Sequence, residues 1–142
     1  MVADGTYIYC EKSQNSKLQK ELYSMHKYRH LSKPFVVCTT DGLIVDVFGP
    51  CSAKVNDANI LMSILKDSDL QNLLQPNDNI ILDRGFRDCI DELKKTYKLI
   101  PRMPTFTDGQ LTFLQANQTR LVTKVRLLLK LSMEYLTSHF QH

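Results

Sequence analysis

The chain has 142 residues with 43% hydrophobic content, which fits one globular domain with a core of its own. Its 18 Lys and Arg residues and 15 Asp and Glu residues give a net charge of +3, too small to identify a polyanion as the partner. The N-terminus lacks the basic and apolar regions of a signal peptide, and no apolar run reaches the ~20 residues of a membrane span. We therefore expect a nuclear or cytoplasmic protein without a membrane partner.

Three β-rich runs lie within the first fifty residues, and each predicts a strand: residues 6–10, 34–40 and 43–49. Asp4 opens the first of them. The polar segment 11–33 has no clear pattern beyond one helical turn. The Asp41-Gly42 pair separates the second and third runs, and such a pair between β-rich segments is typical of a hairpin.

Helices and short strands alternate from residue 56 onward. Asn56 has the side chain of an N-cap, and the apolar residues that follow it have helical spacing. The remaining predicted elements are a helix over 69–74, a strand over 80–82, a helix over 90–97, a strand at 99–100 and a helix from 110 to the C-terminus. This order predicts an α/β domain with a mixed central sheet flanked by helices, as in the RNase H-like fold.

One face of each element is predicted to be apolar and to form the core. The expected core residues are Ile8, Val36, Val45, Val47, Ile60, Leu61, Ile64, Ile81, Leu93, Leu121 and Val125. Because alternate residues of a strand face opposite sides of the sheet, Val45 is expected to be more buried than its neighbours Ile44 and Asp46.

Four cysteines are far apart in the sequence and have no nearby pair of histidines: Cys10, Cys38, Cys51 and Cys89. This spacing argues against a zinc site. Three of them lie in or beside apolar runs, where reduced, buried thiols are expected.

Two aspartates stand at the ends of predicted strands, where a side chain can be aimed into a cleft. Asp4 opens the first strand and Asp83 ends the fourth. Carboxylates from adjacent strands can hold Mg²⁺ or Mn²⁺, and two such ions can activate water and stabilise the leaving oxygen in phosphodiester cleavage. Position alone leaves open that both are ordinary strand-end residues.

Seven short motifs occur in the order found in one known family: Asp4-Gly5-Thr6, Tyr23-Ser24-Met25-His26-Lys27, Lys33-Pro34, Asp41-Gly42, Asn56-Asp57-Ala58, Asp83-Arg84-Gly85-Phe86-Arg87-Asp88 and the segment from Ala116 to Arg126. On these motifs the chain resembles, nearly end to end, the endonuclease domain of Harbinger-type transposases, which are DDE superfamily enzymes. The resemblance implies an RNase H-like fold, DNA as the partner, and cleavage of DNA phosphodiester bonds with Mg²⁺ or Mn²⁺. It also implies that Asp4 and Asp83 are the first two catalytic, metal-binding acids.

The third acid of that family is missing from its expected place. The family has a pattern similar to Arg-Trp-Val-Val-Glu, whereas this chain has Arg126-Leu127-Leu128-Leu129-Lys130. Lysine in place of glutamate reverses the charge at the metal site, and its ammonium is expected to act as an internal counter-ion to Asp4 and Asp83. Glu134 lies one helical turn, ~6 Å, farther along. It either replaces the lost ligand or is a solvated helix carboxylate.

Other charged residues have two interpretations each. Asp57 either lines the cleft as a further metal ligand or complements the dipole at a helix N-terminus. His26 and its basic neighbours either contact a phosphate backbone or form a solvated loop. Arg120, Lys124 and Arg126 predict a basic helix face, which is compatible with DNA and equally with solubility.

Together these observations predict a single transposase-type endonuclease domain over residues 1–142 that is degenerate, and truncated or divergent after Arg126. The alternative interpretation is a domesticated, non-catalytic scaffold that binds DNA or protein. A third interpretation is a product without function. Because the chain begins at the first acid, we expect a DNA-recognition module to be absent. A separate DNA-binding protein would then be a partner.

Overall fold

The computed structural model describes residues 1–25, 27–105 and 109–139, which form a mixed sheet flanked by helices. This architecture confirms the predicted α/β class and is consistent with an RNase H-like fold. The strands in these ranges are β1 (Val2–Gly5), β2 (Ile8–Tyr9), β3 (Tyr23–Ser24), β4 (Arg29–Cys38), β5 (Ile44–Cys51), β6 (Asn79–Ile81) and β7 (Ile100–Arg102). The helices are α1 (Ser16–Leu22), α2 (Asp57–Asp67), α3 (Leu70–Leu73), the 3₁₀ helix Arg84–Cys89, α4 (Ile90–Lys95) and α5 (Phe113–His139). None of the helices described is long and apolar enough to cross a membrane.

The sheet has an antiparallel half and a parallel half that meet at β1. β4 pairs antiparallel with both β1 and β5, in a register that places Asp4 opposite Val36. β1 pairs parallel with β6, which in turn pairs parallel with β7. The ten-residue β4 extends past the end of β1 and there pairs with the short strands β2 and β3. One strand therefore connects the centre of the sheet with the segment around α1.

Alternate residues of β1 face two separate cores. Ala3 packs in the larger core, which contains α2 and α4, whereas Val2 packs in the smaller core against α5. The same alternation directs Asp4 toward α5 and Gly5 toward α2. Neighbouring residues of one short strand thus contribute to the site from opposite faces of the sheet.

The first strand begins earlier than predicted. β1 covers Val2–Gly5, and the predicted run 6–10 contains only the separate, two-residue β2. Asp4 therefore lies inside β1 near its C-terminal end, and Asp83 lies two residues beyond β6. β1 has only two apolar residues, too few for a sequence pattern, and packing in the two cores on either side of the sheet buries them completely.

Six of the eleven predicted core residues are buried: Val36, Ile60, Leu61, Ile64, Ile81 and Leu93. Ile8 and Val125 are half-buried. Three predictions are wrong, because Val45, Val47 and Leu121 are 41%, 51% and 64% exposed.

The errors in β5 come from its position at the edge of the sheet. Within the described residues β5 pairs only with β4. A register shift between Val37 and Cys38 also places Val45 in a bulge, because Asp46 pairs with the first and Ile44 with the second. Ile44 is half-buried while Val45 and Asp46 are both exposed, so Val45 is not the more buried residue that simple alternation predicts.

The error in α5 is a rotation of the helix by one residue. Val122, Leu129 and Met133 face the sheet, whereas Leu121 is exposed. One residue corresponds to a turn of about 100° around the helix axis. Leucines lie on several sides of α5, so the sequence alone does not identify the face that packs.

Candidate active site

A cleft of about 350 Å³ opens at the C-terminal end of β1. Its lining residues come from β1 and the segment after it, the start of α2, the segment after β6, and α5: Asp4, Gly5, Thr6, Tyr7, Asp57, Asp83, Arg126, Leu129, Lys130, Met133 and Glu134. The four acids that the sequence singles out as candidate ligands all line this cleft. Four separate parts of the chain thus converge on one small polar space.

Asp83 uses its two carboxylate oxygens differently. Oδ1 accepts a 2.7 Å hydrogen bond from the backbone N–H of Gly85 and caps the 3₁₀ helix. Oδ2 faces the cleft and lies 3.1 Å from a guanidinium nitrogen of Arg126. One oxygen therefore fixes the side chain, and the other is directed into the site.

Arg126 bridges the two strand-end acids. Its Nη2 donates hydrogen bonds of 3.1 Å to Oδ2 of Asp4 and 3.1 Å to Oδ2 of Asp83. The two oxygens are consequently no more than twice that distance apart. The side chains of Asp4 and Arg126 are only 12% and 16% exposed, so solvent screens this pair weakly. Arg126 Nε is buried without a hydrogen-bond partner in the described parts of the chain.

The pKa of the Asp4 carboxyl is raised above its usual value of 3.8. Burial is the largest cause, because it disfavours the charged form. Arg126 lowers this pKa through its charge and its hydrogen bond, while the nearby negative charges of Asp83 and Asp57 raise it. The site is thus a partly desolvated acid cluster that one guanidinium only partly neutralises.

Asp57 is held by a buried lysine. Its Oδ1 lies 2.6 Å from Nζ of Lys33, whose side chain is 4% exposed. Oδ1 forms this close ion pair and has no hydrogen-bond partner among the described residues. Lys33 Nζ donates instead to the backbone oxygen of Val55 at 3.1 Å and lies 5.5 Å from the ring centroid of Tyr7. The charge of Asp57 is therefore compensated from the sheet side.

Gly5 leaves room for the Asp57 carboxylate, and Gly85 lies close to the carboxylate of Asp83. A Cβ atom on Gly5 would lie 2.6 Å from Oδ1 of Asp57 and 2.8 Å from Cε of Lys33. A Cβ atom on Gly85 would lie 3.7 Å from Oδ2 of Asp57 and 3.0 Å from Oδ1 of Asp83. A side chain at position 5 would therefore displace the Asp57 carboxylate or the Lys33 side chain.

The predicted counter-ion role belongs to Arg126 and not to Lys130. Lys130 lines the cleft from α5, but it is exposed and forms no ion pair with a described residue. Glu134 lines the same cleft one helical turn farther along and is also exposed. The α5 side of the cleft therefore carries two cations and one acid.

The predicted basic face of α5 is divided. Arg120 and Lys124 are exposed, whereas Arg126 points into the cleft. His26, which the sequence suggests as a phosphate contact, lies outside the described residues.

A divalent cation does not fit this arrangement as it stands. Mg²⁺ and Mn²⁺ require oxygen ligands around the ion, yet the cleft-facing oxygens of Asp4 and Asp83 both contact the guanidinium of Arg126. No group of three His, Cys, Asp or Glu residues in the described ranges is arranged to hold a metal ion. Arg126 occupies the position between the two acids where such an ion would have to bind.

Two cations of the site are missed by the sequence interpretation, although both follow a detectable pattern. Lys33 occupies a period-two position between Leu31 and Phe35, which are buried on the same side of β4. Arg126 lies four residues after Val122, on the helix face that packs against the sheet. A lysine or arginine at a core-facing position indicates a buried acid nearby, because unpaired buried charges are costly.

The chain matches a known protein family. A family described as DDE superfamily endonuclease matches residues 3–142 of the chain. No curated protein and no solved structure matches the chain. The match covers every residue of the cleft described above.

Proposed function

The chain belongs to the DDE superfamily endonucleases, and from that premise we propose that it is a degenerate Harbinger-type transposase domain that binds DNA without cleaving it. Its family implies cleavage of DNA phosphodiester bonds with a divalent cation. In the proposed role the domain keeps the RNase H-like fold and the first two acids, Asp4 and Asp83. It lacks the charge balance that metal-dependent cleavage requires.

The observation that carries this proposal is the presence of Lys130 in the cleft where the family has its third acid, next to the bridge from Arg126 to Asp4 and Asp83. A divalent cation placed between Asp4 and Asp83 would lie within a few ångströms of the guanidinium, where like charges repel strongly in a poorly solvated site. Lys130 adds a second positive charge at the cleft, at the position where the family has its glutamate. The charges of Asp4 and Asp83 are thus matched by those of two cations, so these two acids alone present no net negative charge to a metal ion.

The other two candidate ligands do not restore that balance in the proposed role. Asp57 is already paired with Lys33. Glu134 is one helical turn, ~6 Å, from Lys130, whereas ligands of a catalytic ion must be placed to within ~0.5 Å. A bound Mg²⁺ or Mn²⁺ would supply an activated water and stabilise the leaving oxygen. The present residues do not suit it, so we assign them no hydrolytic step.

DNA is the proposed partner because the family acts on it and because the basic residues are unevenly distributed. Residues 12–30 contain five of the 18 Lys and Arg residues but only one of the 15 Asp and Glu residues. The remainder of the chain is therefore close to neutral. A concentrated basic segment is typical of proteins that contact phosphate backbones.

A protein-binding scaffold is the second candidate, because α5 exposes several large apolar side chains: Phe113, Leu114, Leu121, Leu127, Leu131 and Tyr135. Exposed apolar clusters often mark sites of protein contact. This candidate replaces the first if the isolated domain does not bind duplex DNA at low salt.

The first test measures cleavage and metal binding by the unaltered chain. We expect no nicking of supercoiled plasmid in Mg²⁺ or Mn²⁺, and no saturable metal binding by calorimetry at millimolar concentrations. Asp83→Ala serves as the inactive reference. Nicking by the unaltered chain that Asp83→Ala abolishes would contradict the proposal.

A second test removes the two cations. Arg126→Gln combined with Lys130→Glu takes the guanidinium from the acids and returns a carboxylate to the third position, so saturable Mn²⁺ binding is expected to appear. Arg120→Gln combined with Lys124→Glu is the matched control, since it makes the same charge change on exposed residues of the same helix. Equal metal binding by both double variants would show that Arg126 does not block the site.

A further inference from the structure

A second concave surface lies outside the cleft and is basic. This groove, of about 610 Å³, is lined by Lys12, Lys20, His30 and Lys54 together with uncharged residues that include Tyr23. Among the residues that the structure describes, no Asp or Glu belongs to its lining. The three lysines are exposed, and none of them forms an ion pair with a described residue.

The groove is held together by specific contacts between its walls. Ser52 Oγ donates a hydrogen bond of 3.4 Å to the backbone oxygen of Glu21 and accepts one of 3.3 Å from the backbone N–H of Lys54. These bonds join the end of α1 to the loop that carries Lys54. The rings of Tyr23 and His30 meet edge to face with centroids 5.3 Å apart. The cations are thus presented by an ordered surface.

A single strand connects the groove to the cleft. Asp4 pairs with Val36 of β4, and the backbone N–H of Cys10 donates to the backbone oxygen of His30. His30 is six residues before Val36, which corresponds to about 20 Å along an extended strand. The same length spans about six base pairs of duplex DNA, at about 3.4 Å each. The distance between the two surfaces is therefore one that a single DNA molecule can span.

We propose that this groove binds the phosphate backbone of duplex DNA about six base pairs from the cleft. The inference rests on the proposed DNA-binding function and adds the surface that contacts the backbone. Lysine ammonium groups bind phosphate as point charges and carry no sequence information. The groove would therefore hold and orient DNA without selecting a sequence.

The test compares the full chain with a triple variant, Lys12→Gln, Lys20→Gln and Lys54→Gln, for binding to a fluorescent 20-base-pair duplex at several salt concentrations. Each phosphate contact contributes about 0.9 to the slope of log affinity against log salt. The triple variant is expected to lose about two to three units of slope and roughly tenfold or more in affinity at moderate salt. Melting temperature and circular dichroism check that it folds.

The matched control neutralises three exposed lysines on α2 and α4, namely Lys66, Lys94 and Lys95, by the same change to Gln. It has the same net charge as the groove variant, and its slope is expected to stay near that of the unaltered chain. Equal losses of slope and affinity in the two triple variants would contradict the proposed role of the groove, while DNA binding by the domain would still stand. Failure of the unaltered chain to bind the duplex would instead overturn the DNA-binding function, and the groove with it.

Acetylation of lysines with and without duplex gives a readout that requires no substitution. Bound DNA is expected to protect Lys12, Lys20 and Lys54, as measured by mass spectrometry, and to leave Lys66 and Lys94 reactive. Protection of the second pair but not of the groove lysines would contradict the proposal.

Discussion

Oδ1 of Asp57 lies 2.6 Å from Nζ of Lys33, so the first turn of α2 is joined to the middle of β4 by a buried ion pair. The lysine is 4% exposed and the aspartate 20%. A lysine this deeply buried is costly unless it is paired, so each partner requires the other. This contact therefore helps to hold Asp57 at the cleft.

Lys33→Met is expected to lower the free energy of unfolding by about 2–4 kcal/mol, because it leaves Asp57 partly buried without its cation. Adding Asp57→Asn should recover part of the loss, since the uncompensated charge is then gone. Urea denaturation measures both variants. Lys54→Met, at an exposed lysine, serves as the control and should change stability by no more than about 0.5 kcal/mol. A Lys33→Met loss as small as that of the control would mean that the ion pair does not stabilise the fold.

Gly5→Ala is expected to destabilise the domain by about 1–3 kcal/mol. Its new methyl group would lie 2.6 Å from Oδ1 of Asp57 and 2.8 Å from Cε of Lys33, both of which are held in the ion pair. Gly109→Ala is the control, because a Cβ atom there meets no atom of the described residues within 4 Å. Thermal melts should separate the two, and equal melting temperatures would show that the pair shifts without cost.

Asp4 should make stability depend on pH in a definite direction. Because burial raises the pKa of this carboxyl above 3.8 in the folded state, the folded chain binds the proton more tightly than the unfolded chain. The contribution of Asp4 to stability is therefore complete below pH 3.8 and is lost as the pH rises through the raised pKa. The unfolding free energy of the unaltered chain minus that of Asp4→Asn should increase as the pH falls from 7 toward 4. The slope should not exceed about 1.4 kcal/mol per pH unit. A decrease over that range would contradict the raised pKa.

Buried and partly exposed thiols should react with iodoacetamide at different rates. Burial raises the pKa of the Cys38 and Cys89 thiols to about 11, and these side chains are 1% and 3% exposed. Few thiolates form there at pH 8, so both should be protected in the folded chain. Cys10, which is half-buried near the surface, should be labelled first. Peptide mass spectrometry after brief labelling measures the order, and early modification of Cys89 would contradict it.

Much of the fold follows from the order of elements, because β-rich runs, the Asp41-Gly42 turn and helical spacing are local properties of the chain. The hairpin of β4 and β5 and the helix after Asn56 are found where the sequence predicts them. The burial of individual residues in β5 and α5 is not determined by local sequence. It depends on which strand lies at the sheet edge and which side of a leucine-rich helix meets the sheet, and neither is encoded in the spacing of the residues concerned.

The convergence of Asp4 and Asp83 on one cleft follows from their places at neighbouring strand ends, whereas the cation between them does not. The sequence draws attention to Lys130, because it replaces an expected acid. The guanidinium that contacts both acids comes from Arg126, one turn earlier on α5. Which of two cations on one helix face reaches the acids depends on side-chain length and on how closely the helix packs on the sheet, and the burial of Val122 and Leu129 determines that packing.

Because alternate residues of β1 face opposite sides of the sheet, the larger core and the acids of the candidate site lie on different sides of it. The larger core lies on the α2 side of the sheet, whereas Asp4 and Asp83 turn toward α5, whose contribution to burial is small. Substitutions along α5 can therefore change the charge at the cleft and leave the larger core intact. A protein built in this way can drift away from an enzymatic role and remain a stable, folded surface on which another use can be built.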